Sequence, residues 1–348
     1  MPIDMNALHL ADEAFWSEGS RAFDPVVRQH GTSHFGVVVD APRRVDLAGR
    51  KTLPVFLYYM GEFKELVTRD LQKQGLVTVM DVERNALWIT PTRVQDAGEE
   101  PDPEDVAPSP DEPIPDGYAA EMQTLELRER LGLAWKPARL ILQAILLDMQ
   151  SPRVETELAA GSSQFQDPEV EKFLAEERAA QNPPPLFPAP AAEDRYPSYA
   201  RTAASPEMLE GNGVALRVDR VVTVDGPKPV LLHGAWRLPV RPEDLVKPAN
   251  AEYNRASGLL QPGGEPYAAV VRIHVLAVGV ADDTPKIYSL ALPAAGVVDG
   301  LASGYFTVDL RKLPSFPIAD QTVFFYAFSR EYASAPAVMG MLDRRPEE

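Results

Sequence analysis

Two proline-rich stretches divide this chain and limit what each part of it can fold into. The first covers residues 96–116 and the second covers residues 181–205, and each holds six of the 34 prolines. Proline fixes φ and has no backbone N–H to donate, so neither stretch suits a helix interior or a central strand. We expect two extended linkers, an acidic one and a Pro/Ala-rich one, which leave residues 1–95, 117–180 and 206–348 to fold.

Most of the chain's formal net charge of −17 lies in and around these linkers. Residues 96–205 hold 22 acidic and 9 basic side chains, whereas residues 206–348 hold 17 and 14. Binding to a phosphate backbone needs clustered Lys and Arg. We therefore expect no nucleic-acid partner, and the charge itself says little about a functional site.

Cysteine is absent from the sequence, and only five histidines occur. The absence excludes disulfide scaffolds, thiol nucleophiles and cysteine-ligated metal centres, so we expect no metal and no cofactor. No run reaches the roughly 18 apolar residues of a membrane helix, so we also expect no membrane insertion. The first residues have neither the basic start nor the apolar run of a signal peptide. This predicts a cytoplasmic protein, or one exported without a signal peptide of the usual kind, and the Ala- and Arg-rich composition is typical of a bacterial source.

Residues 1–95 are predicted to form a small α+β domain. Two β-branched and aromatic runs, 36–41 and 53–60, are typical of strands, and the apolar spacing over 62–74 indicates a helix. Residues 76–81 and 86–90 then flank a short polar turn and suggest a hairpin.

The middle segment, residues 117–180, is predicted to be helical. Residues 118–131 and 137–150 show apolar spacing typical of helices, and 167–180 is a third amphipathic stretch. Helices with so narrow an apolar face need a partner surface. We expect this segment to bind a protein partner or a second copy of the chain. The candidate partner-binding residues are Leu133, Leu140, Ile141, Ile145, Phe173 and Leu174.

Residues 206–348 are predicted to form an antiparallel β-sandwich. Seven short β-type runs, separated by turn residues and almost without helical periodicity, are typical of that fold. The run 322–329 is apolar on nearly both faces, which indicates a central strand whose outer side is covered. The fold class is therefore multidomain: a small N-terminal α+β unit, a helical middle segment and a C-terminal all-β sandwich.

Candidate binding chemistry is confined to the C-terminal sandwich. Trp236, Tyr253 and Tyr267, with His233 nearby, are candidate ligand-binding residues that could form a stacking surface for a carbohydrate. A hydrolase using His233 or His274 as a base is a further alternative, because a triad is assembled in space and not in sequence. No residues match a catalytic motif, and no catalytic residue is assigned.

The sequence as a whole favours a non-catalytic structural or interaction protein, a multidomain subunit of a protein assembly. Two linkers and apolar segments that need partners support this interpretation. The carbohydrate-binding and hydrolase alternatives remain open from the sequence.

Overall fold

The computed structural model divides the chain into two compact units, Met1–Ala179 (unit 1) and Ala180–Glu348 (unit 2). The structure describes residues 36–160 except 49–51, 63, 65–73 and 93–116, and residues 198–342 except 225, 227, 242–243, 245–268, 281–284, 295–296 and 317.

Unit 1 is a β-sandwich. Its described strands pair into one sheet of order β1-β3-β6 and a larger one of order β2-β9-β7-β4-β5, with β8 added to β7. Only the β2–β9 pair is parallel. The elements are β1 Gly36–Asp40, β2 Arg44–Asp46, β3 Pro54–Glu62, β4 Gly75–Asp81, β5 Ala86–Pro91, β6 Tyr118–Glu126, α1 Leu127–Leu131, β7 Ala138–Leu146, β8 Met149–Gln150 and β9 Val154–Ala159.

The core of unit 1 lies between its two sheets. Alternate side chains of each strand point into this space, because successive residues of a strand face opposite sides. Val37 and Val39 of β1 face Leu140 and Leu142 of β7 within one buried cluster. Tyr59 of β3 is fully buried there.

Unit 2 is a second β-sandwich. Its sheets have the orders β10-β12-β15 and β11-β18-β16-β13-β14, with β17 added to β16. Among the described strands of this unit, only the β11–β18 pair is parallel. The elements are β10 Gly213–Val218, β11 Val221–Thr223, β12 Leu231–Pro239, β13 Ala269–Gly279, β14 Lys286–Ala294, β15 Leu301–Asp309, a 3-10 turn Leu310–Lys312, β16 Gln321–Ser329, β17 Tyr332–Ala333 and β18 Ala337–Leu342.

Two aromatic side chains in unit 2 each cover a glycine on the neighbouring strand. Trp236 lies opposite Gly304, and Phe306 lies opposite Gly234. A Cβ at position 234 would lie 2.1 Å from the Phe306 ring, and one at position 304 would lie 3.0 Å from the Trp236 indole. Glycine is therefore required at position 234 for the Phe306 ring to fill the core, and a side chain at position 304 would press on the Trp236 indole.

Residues 198–205 also belong to the sandwich of unit 2. The Ser198 N–H donates to the Thr307 carbonyl at 2.9 Å, and the Thr307 N–H donates back at 2.8 Å, which extends the sheet beyond β15. Tyr199 packs against the core, and Ser205 is buried. The end of the second predicted linker is thus part of a folded unit, while residues 181–197 and the first linker, up to residue 116, lie outside the described residues.

The two units share one topology, so the chain contains a structural repeat. Strands β1 to β9 correspond in order to β10 to β18, including the single parallel pair. A three-stranded sheet facing a larger one is the arrangement of immunoglobulin- and fibronectin-like sandwiches. The register also corresponds: the equivalent pairs are Gly36–Met60 and Gly213–Arg237, Pro54–Glu126 and Leu231–Asp309, and Ala138–Leu158 and Gln321–Met341.

A buried leucine marks the point where each unit leaves its three-stranded sheet. Leu127 follows β6 and Leu310 follows β15, and both side chains are fully buried. The Leu127 N–H donates to the Leu53 carbonyl at 3.0 Å, and the Leu310 N–H donates to the Val230 carbonyl at 2.8 Å. Where the chain crosses from the smaller to the larger sheet, an apolar side chain is therefore buried while its backbone N–H remains hydrogen-bonded.

An acidic residue precedes each of these leucines and caps the helical turn that follows. The Glu126 carboxylate accepts hydrogen bonds from the amides of Arg128 at 3.0 Å and Leu53 at 2.8 Å. The Asp309 carboxylate accepts one from the Arg311 amide at 3.2 Å. Such caps satisfy donors that the short helical turn cannot satisfy itself.

A serine side chain bonds to the central strand of the larger sheet in both units. The Ser151 Oγ accepts a hydrogen bond from the Ala144 N–H, and the Ser334 Oγ accepts one from the Ala327 N–H, each at 2.9 Å. Each serine also donates its own N–H to the carbonyl of the same alanine. Both bonds are buried, so each serine satisfies an amide that water cannot reach.

The prediction of a helical middle segment over residues 117–180 is wrong. Residues 118–126 form β6, residues 138–146 form β7 and residues 154–159 form β9, and only the five residues of α1 are helical among those described there. The spacing of apolar residues in 138–146 resembles that of a helix. This is because β7 is buried on both faces and so lacks the alternation of apolar and polar residues seen in a half-buried strand. The amphipathic stretch 167–180 lies outside the described residues.

The predicted α+β class of the N-terminal region is corrected by the same pairings. The predicted strands and hairpin are present, but β3 pairs with β6 and β4 pairs with β7. The helix predicted over 62–74 lies mostly outside the described residues, and Glu62 ends β3. The core of a single sandwich thus includes residues assigned to two predicted parts of the chain. The predicted C-terminal sandwich agrees with the structure, where each of the seven predicted runs contains a strand.

We expect Ser151→Ala and Ser334→Ala to lower the free energy of unfolding by similar amounts, about 1–2 kcal/mol each. Each change leaves a buried backbone N–H without its acceptor. Urea unfolding of both variants measures this, with Ser303→Ala on the exposed side of β15 as the control. A loss of stability in one variant alone would contradict the equivalence of the two serines.

Candidate functional site

The outer face of the larger sheet in unit 2 is buried at its centre. Strand β16 lies between β13 and β18, and its Phe324, Tyr326 and Phe328 point away from the core that the two sheets enclose. All three side chains are nevertheless buried. The prediction that this run is a central strand with a covered outer side is confirmed.

Towards β11 the same outer face becomes exposed and stays apolar. Val221 is 62% exposed, Leu342 51%, Val280 43% and Val338 39%, and these are four of the six large exposed hydrophobic residues among those described. They are adjacent because Gly340 pairs with Val221 on one side and with Thr322 on the other, next to Val280. We define the apolar face as Val221, Val280, Thr322, Val338, Gly340 and Leu342.

Unit 1 has charged residues at four of the six equivalent positions of the same sheet. The matching registers place Arg44 where unit 2 has Val221, and Arg139 where it has Thr322. Glu155 and Glu157 likewise occupy the positions of Val338 and Gly340. The Glu155 carboxylate forms an ion pair with the Arg139 guanidinium, with 3.4 Å between Oε1 and Nε, and both side chains are exposed. The fold therefore does not require apolar residues at the positions of Val221 and Val338. At the positions of Val280 and Leu342, unit 1 has Val82 and Ala159, which are apolar and buried.

The two histidines of unit 2 are held by cross-strand hydrogen bonds. His233 Nδ1 is hydrogen-bonded to Thr307 Oγ1 at 2.9 Å, and Thr202 Oγ1 lies 3.4 Å from the same nitrogen. His274 Nδ1 is hydrogen-bonded to Ser289 Oγ at 2.7 Å. Both rings are buried, and burial lowers the pKa of His233, an effect that the charge of Asp219 partly opposes. The two imidazoles lie on different sheets, so they do not form one site.

The aromatic residues proposed as a carbohydrate platform do not form one in the described structure. Trp236 is fully buried over Gly304 and has no surface to offer a ligand. Tyr253 and Tyr267 lie outside the described residues. The carbohydrate-binding alternative therefore stays a prediction that depends on those two tyrosines.

The apolar residues predicted to bind a partner belong mostly to the interior of unit 1. Leu133 and Leu140 lie in the core between the sheets, and Ile145 is buried on the outer face of β7. Ile141 is half-buried on that same face. Phe173 and Leu174 lie outside the described residues.

A buried ion pair fixes the β12–β13 connection to the β16–β17 hairpin in unit 2. The Arg330 guanidinium donates to both carboxylate oxygens of Asp244, at 2.8 and 3.0 Å, and both side chains are buried. Nearby, Arg241 forms an ion pair with Glu331 at 3.6 Å. Because both bonds of a bidentate pair require one geometry, this contact holds the start of the long connection in place.

A small cleft in unit 1 has a volume of about 80 Å³ and is lined partly by Asp81, Arg84, Trp88 and Lys136. The Asp81 carboxylate already has partners within the chain. It accepts hydrogen bonds from the N–H groups of Glu83 and Arg84 and forms an ion pair with the Arg84 guanidinium. The volume suits a few waters and is far below that of an organic ligand site. Across the described ranges, no group of three His, Asp or Glu side chains is placed to hold a metal ion, and no helix there is long and apolar enough to cross a membrane.

Comparison with known proteins assigns no family. No family model matches the sequence, and no curated protein matches it. Solved structures do align with the chain, and three of them are described below.

Three of the aligned structures have very low similarity to this chain. The chicken interferon gamma receptor alpha chain is 9% identical, over 86% of this chain and 94% of its own, with a TM-score of 0.18. A two-domain fibronectin type III segment of chicken tenascin is 11% identical, over 87% and 97%, with a TM-score of 0.16. A bacterial adhesin from Mobiluncus mulieris is 8% identical, over 89% and 100%, with a TM-score of 0.12. At such scores we infer neither fold nor function from them, and the assignment of two sandwiches rests on strand pairing alone.

Asp40, on the outer face of the smaller sheet in unit 1, has a carboxyl group whose pKa is shifted by burial. It ends β1 on the side of Val38 and Tyr58, and burial raises its pKa to about 6. Two interactions oppose this rise: its Oδ1 accepts the Ala41 N–H at 2.9 Å, and the charge of Arg43 favours the carboxylate.

We expect Asp40→Asn to stabilise the protein relative to the wild type more at pH 7 than at pH 4. The Asp40 carboxyl binds its proton more tightly in the folded protein than in the unfolded chain. The stability that this protonated carboxyl contributes is therefore lost as the pH rises from about 4 through 6. The full change is about 3 kcal/mol for a shift of this size. Urea unfolding of both proteins at the two pH values measures it. An equal difference at both values would show that the Asp40 carboxyl is not shifted.

Proposed function

We propose that this chain is a non-catalytic interaction protein, a subunit of a protein assembly, and that unit 2 presents the apolar face to a protein partner. One observation carries the proposal. Val221 and Val338 are exposed and apolar in unit 2, whereas unit 1 has Arg44 and Glu155 at the equivalent positions, although both sheets fold with the same register.

The comparison of the two units separates what the fold needs from what a partner needs. The buried leucine, the acidic cap and the serine–alanine bonds recur in both units, so these serve the sandwich. The exposed valines 221 and 338 do not recur, because unit 1 has Arg44 and Glu155 there. Contiguous apolar surface on a soluble protein commonly marks a site of protein interaction, because covering it removes that surface from water.

The hydrogen bonding of the histidines supports a structural use of these side chains. His233 and His274 are each bonded to a hydroxyl on the directly opposite residue of the neighbouring strand. A buried imidazole in such a pair stabilises the sheet in the manner of other cross-strand polar pairs.

We expect a photo-crosslinking amino acid at position 338 to capture protein in cells that express this chain. The side chain at 338 lies within the apolar face, so a bound partner would lie within reach of the probe. The matched control carries the probe at position 298, where Val298 is 73% exposed in a turn of unit 2. Mass spectrometry of the adducts identifies what is bound.

Protein adducts at 338 that are absent or much weaker at 298 would support the proposal. Equal labelling at both positions, or no protein adduct at 338, would contradict it. Substitution of Val338 by the probe is tolerated by the fold, since unit 1 carries Glu155 at the equivalent position.

A further inference from the structure

We propose that the outer face of the smaller sheet in unit 1 is a docking surface for the chain's own N-terminal segment, residues 1–35. The docking surface consists of Val38, Phe56 and Tyr58 and belongs to unit 1, whereas the apolar face belongs to unit 2. The proposal therefore does not depend on the proposed function. It is supported by the burial of the surface, by the structural repeat and by the chemistry of residues 1–35.

The docking surface is buried although no described strand lies over it. Val38 of β1 and Phe56 and Tyr58 of β3 point away from the core between the sheets, yet they are only 3%, 6% and 3% exposed. Every described strand of unit 1 belongs to one of its two sheets, so none of them forms a third layer. We therefore assign the cover to residues outside the described ranges.

In unit 2 the residues shortly before the first strand cover the corresponding position. The matching registers place His233 where unit 1 has Phe56. His233 also points away from the core and is buried, and Thr202 Oγ1 lies 3.4 Å from its Nδ1. The covering residues, 198–205, end eight residues before β10. The segment at the same distance before β1 is 21–28, so the repeat places this part of the N-terminal segment near Phe56.

Residues 21–28 have side chains that suit the docking surface. Phe23, Val26 and Val27 lie within this short segment. The contact in unit 2 joins a hydroxyl to an imidazole, whereas Phe56 and Tyr58 present mainly apolar rings. An apolar occupant is therefore expected in unit 1, because burying aromatic and aliphatic side chains together removes their surface from water.

Three other segments outside the described residues fit the docking surface less well. The first linker, 96–116, has nine acidic side chains and no basic one, and it would bring negative charge towards Asp40 at the end of β1. The β3–β4 connection leads to the larger sheet, and its counterpart in unit 2 is held to that sheet by the bonds from Arg330 to Asp244. Residues 161–197 follow β9, which also belongs to the larger sheet.

A photo-crosslinking amino acid at position 60 of the full chain tests the proposal. Met60 packs against Val38 and Tyr58, so a probe there reaches the residues that cover them. Mass spectrometry of the digested protein should show cross-links to residues 1–35. The matched control carries the probe at position 155, on an exposed part of the larger sheet of the same unit. It should give at least about tenfold fewer cross-links to residues 1–35, because a docked segment has a much higher local concentration than a tethered one.

A mixture of isotopically labelled and unlabelled chains shows whether the captured segment comes from the same copy. Cross-links within one chain have uniform labelling, whereas cross-links between copies include mixed masses. Cross-links within one chain from position 60 to residues 1–35 would support the proposal. Capture of residues 96–116 or 161–197 in their place, capture between copies, equal yields from positions 60 and 155, or no cross-link to residues 1–35 would overturn it.

The Asp40 carboxyl provides a second readout, because burial raises its pKa to about 6. The double variant Phe23→Ser/Val26→Ser should weaken the cover, so the pKa of Asp40 should fall towards its ordinary value of about 4. NMR titration of the carboxyl, assigned with Asp40→Asn, measures this pKa. Val106→Ser/Ile114→Ser makes the same kind of change in the first linker and should leave it unaltered. A folded Phe23→Ser/Val26→Ser variant whose Asp40 keeps a pKa of about 6 would overturn the proposal.

Discussion

The crossover between the two sheets is the constraint on which the rest of each unit depends. In unit 1 the chain passes from the smaller to the larger sheet at Leu127, and in unit 2 it does so at Leu310. Each leucine must be buried while its N–H is satisfied, and the carbonyl that precedes β3 or β12 provides the acceptor. This bond fixes the start of one strand against the end of another, so the register of the three-stranded sheet follows from it.

The interior residues that maintain this arrangement are shared, and the outward-facing residues differ. Ser151 and Ser334 make the same pair of bonds, whereas Arg44 and Val221 at equivalent edge positions differ completely. A fold limits the residues that contact its own core and leaves the outer surface available for other uses. Val221 and Val338 are an example, because unit 1 has Arg44 and Glu155 at the equivalent positions of the same sheet.

The sequence predicted strands well where one face was solvated or where β-branched residues dominated. Runs such as 76–81 and 286–292 show these features, and the structure has β4 and β14 there. Prediction failed at β7, since burial of both faces removes alternation and leaves Leu, Ile and Ala at helix-like spacing. The repeat was missed because it is conserved in register and in a few buried residues, not in recognisable sequence. One sequence signal for the apolar face was available: Val338 and Leu342 are apolar on the side of β18 that should face solvent. The sequence of one strand does not show which residues of other strands lie beside them.

Engineered cysteine pairs test the structural repeat most directly, because the chain has no cysteine of its own. Arg44 lies directly opposite Glu157 in one unit, and Val221 lies directly opposite Gly340 in the other. If the two parallel pairs have the same register, Arg44→Cys/Glu157→Cys and Val221→Cys/Gly340→Cys should both form an intramolecular disulfide under mild oxidation, because cysteines on directly paired residues come close enough to bond. Mass spectrometry and thiol titration count the bonds formed. Oxidation of both pairs is the result that two equivalent sandwiches predict, and free thiols in either folded variant would contradict the account.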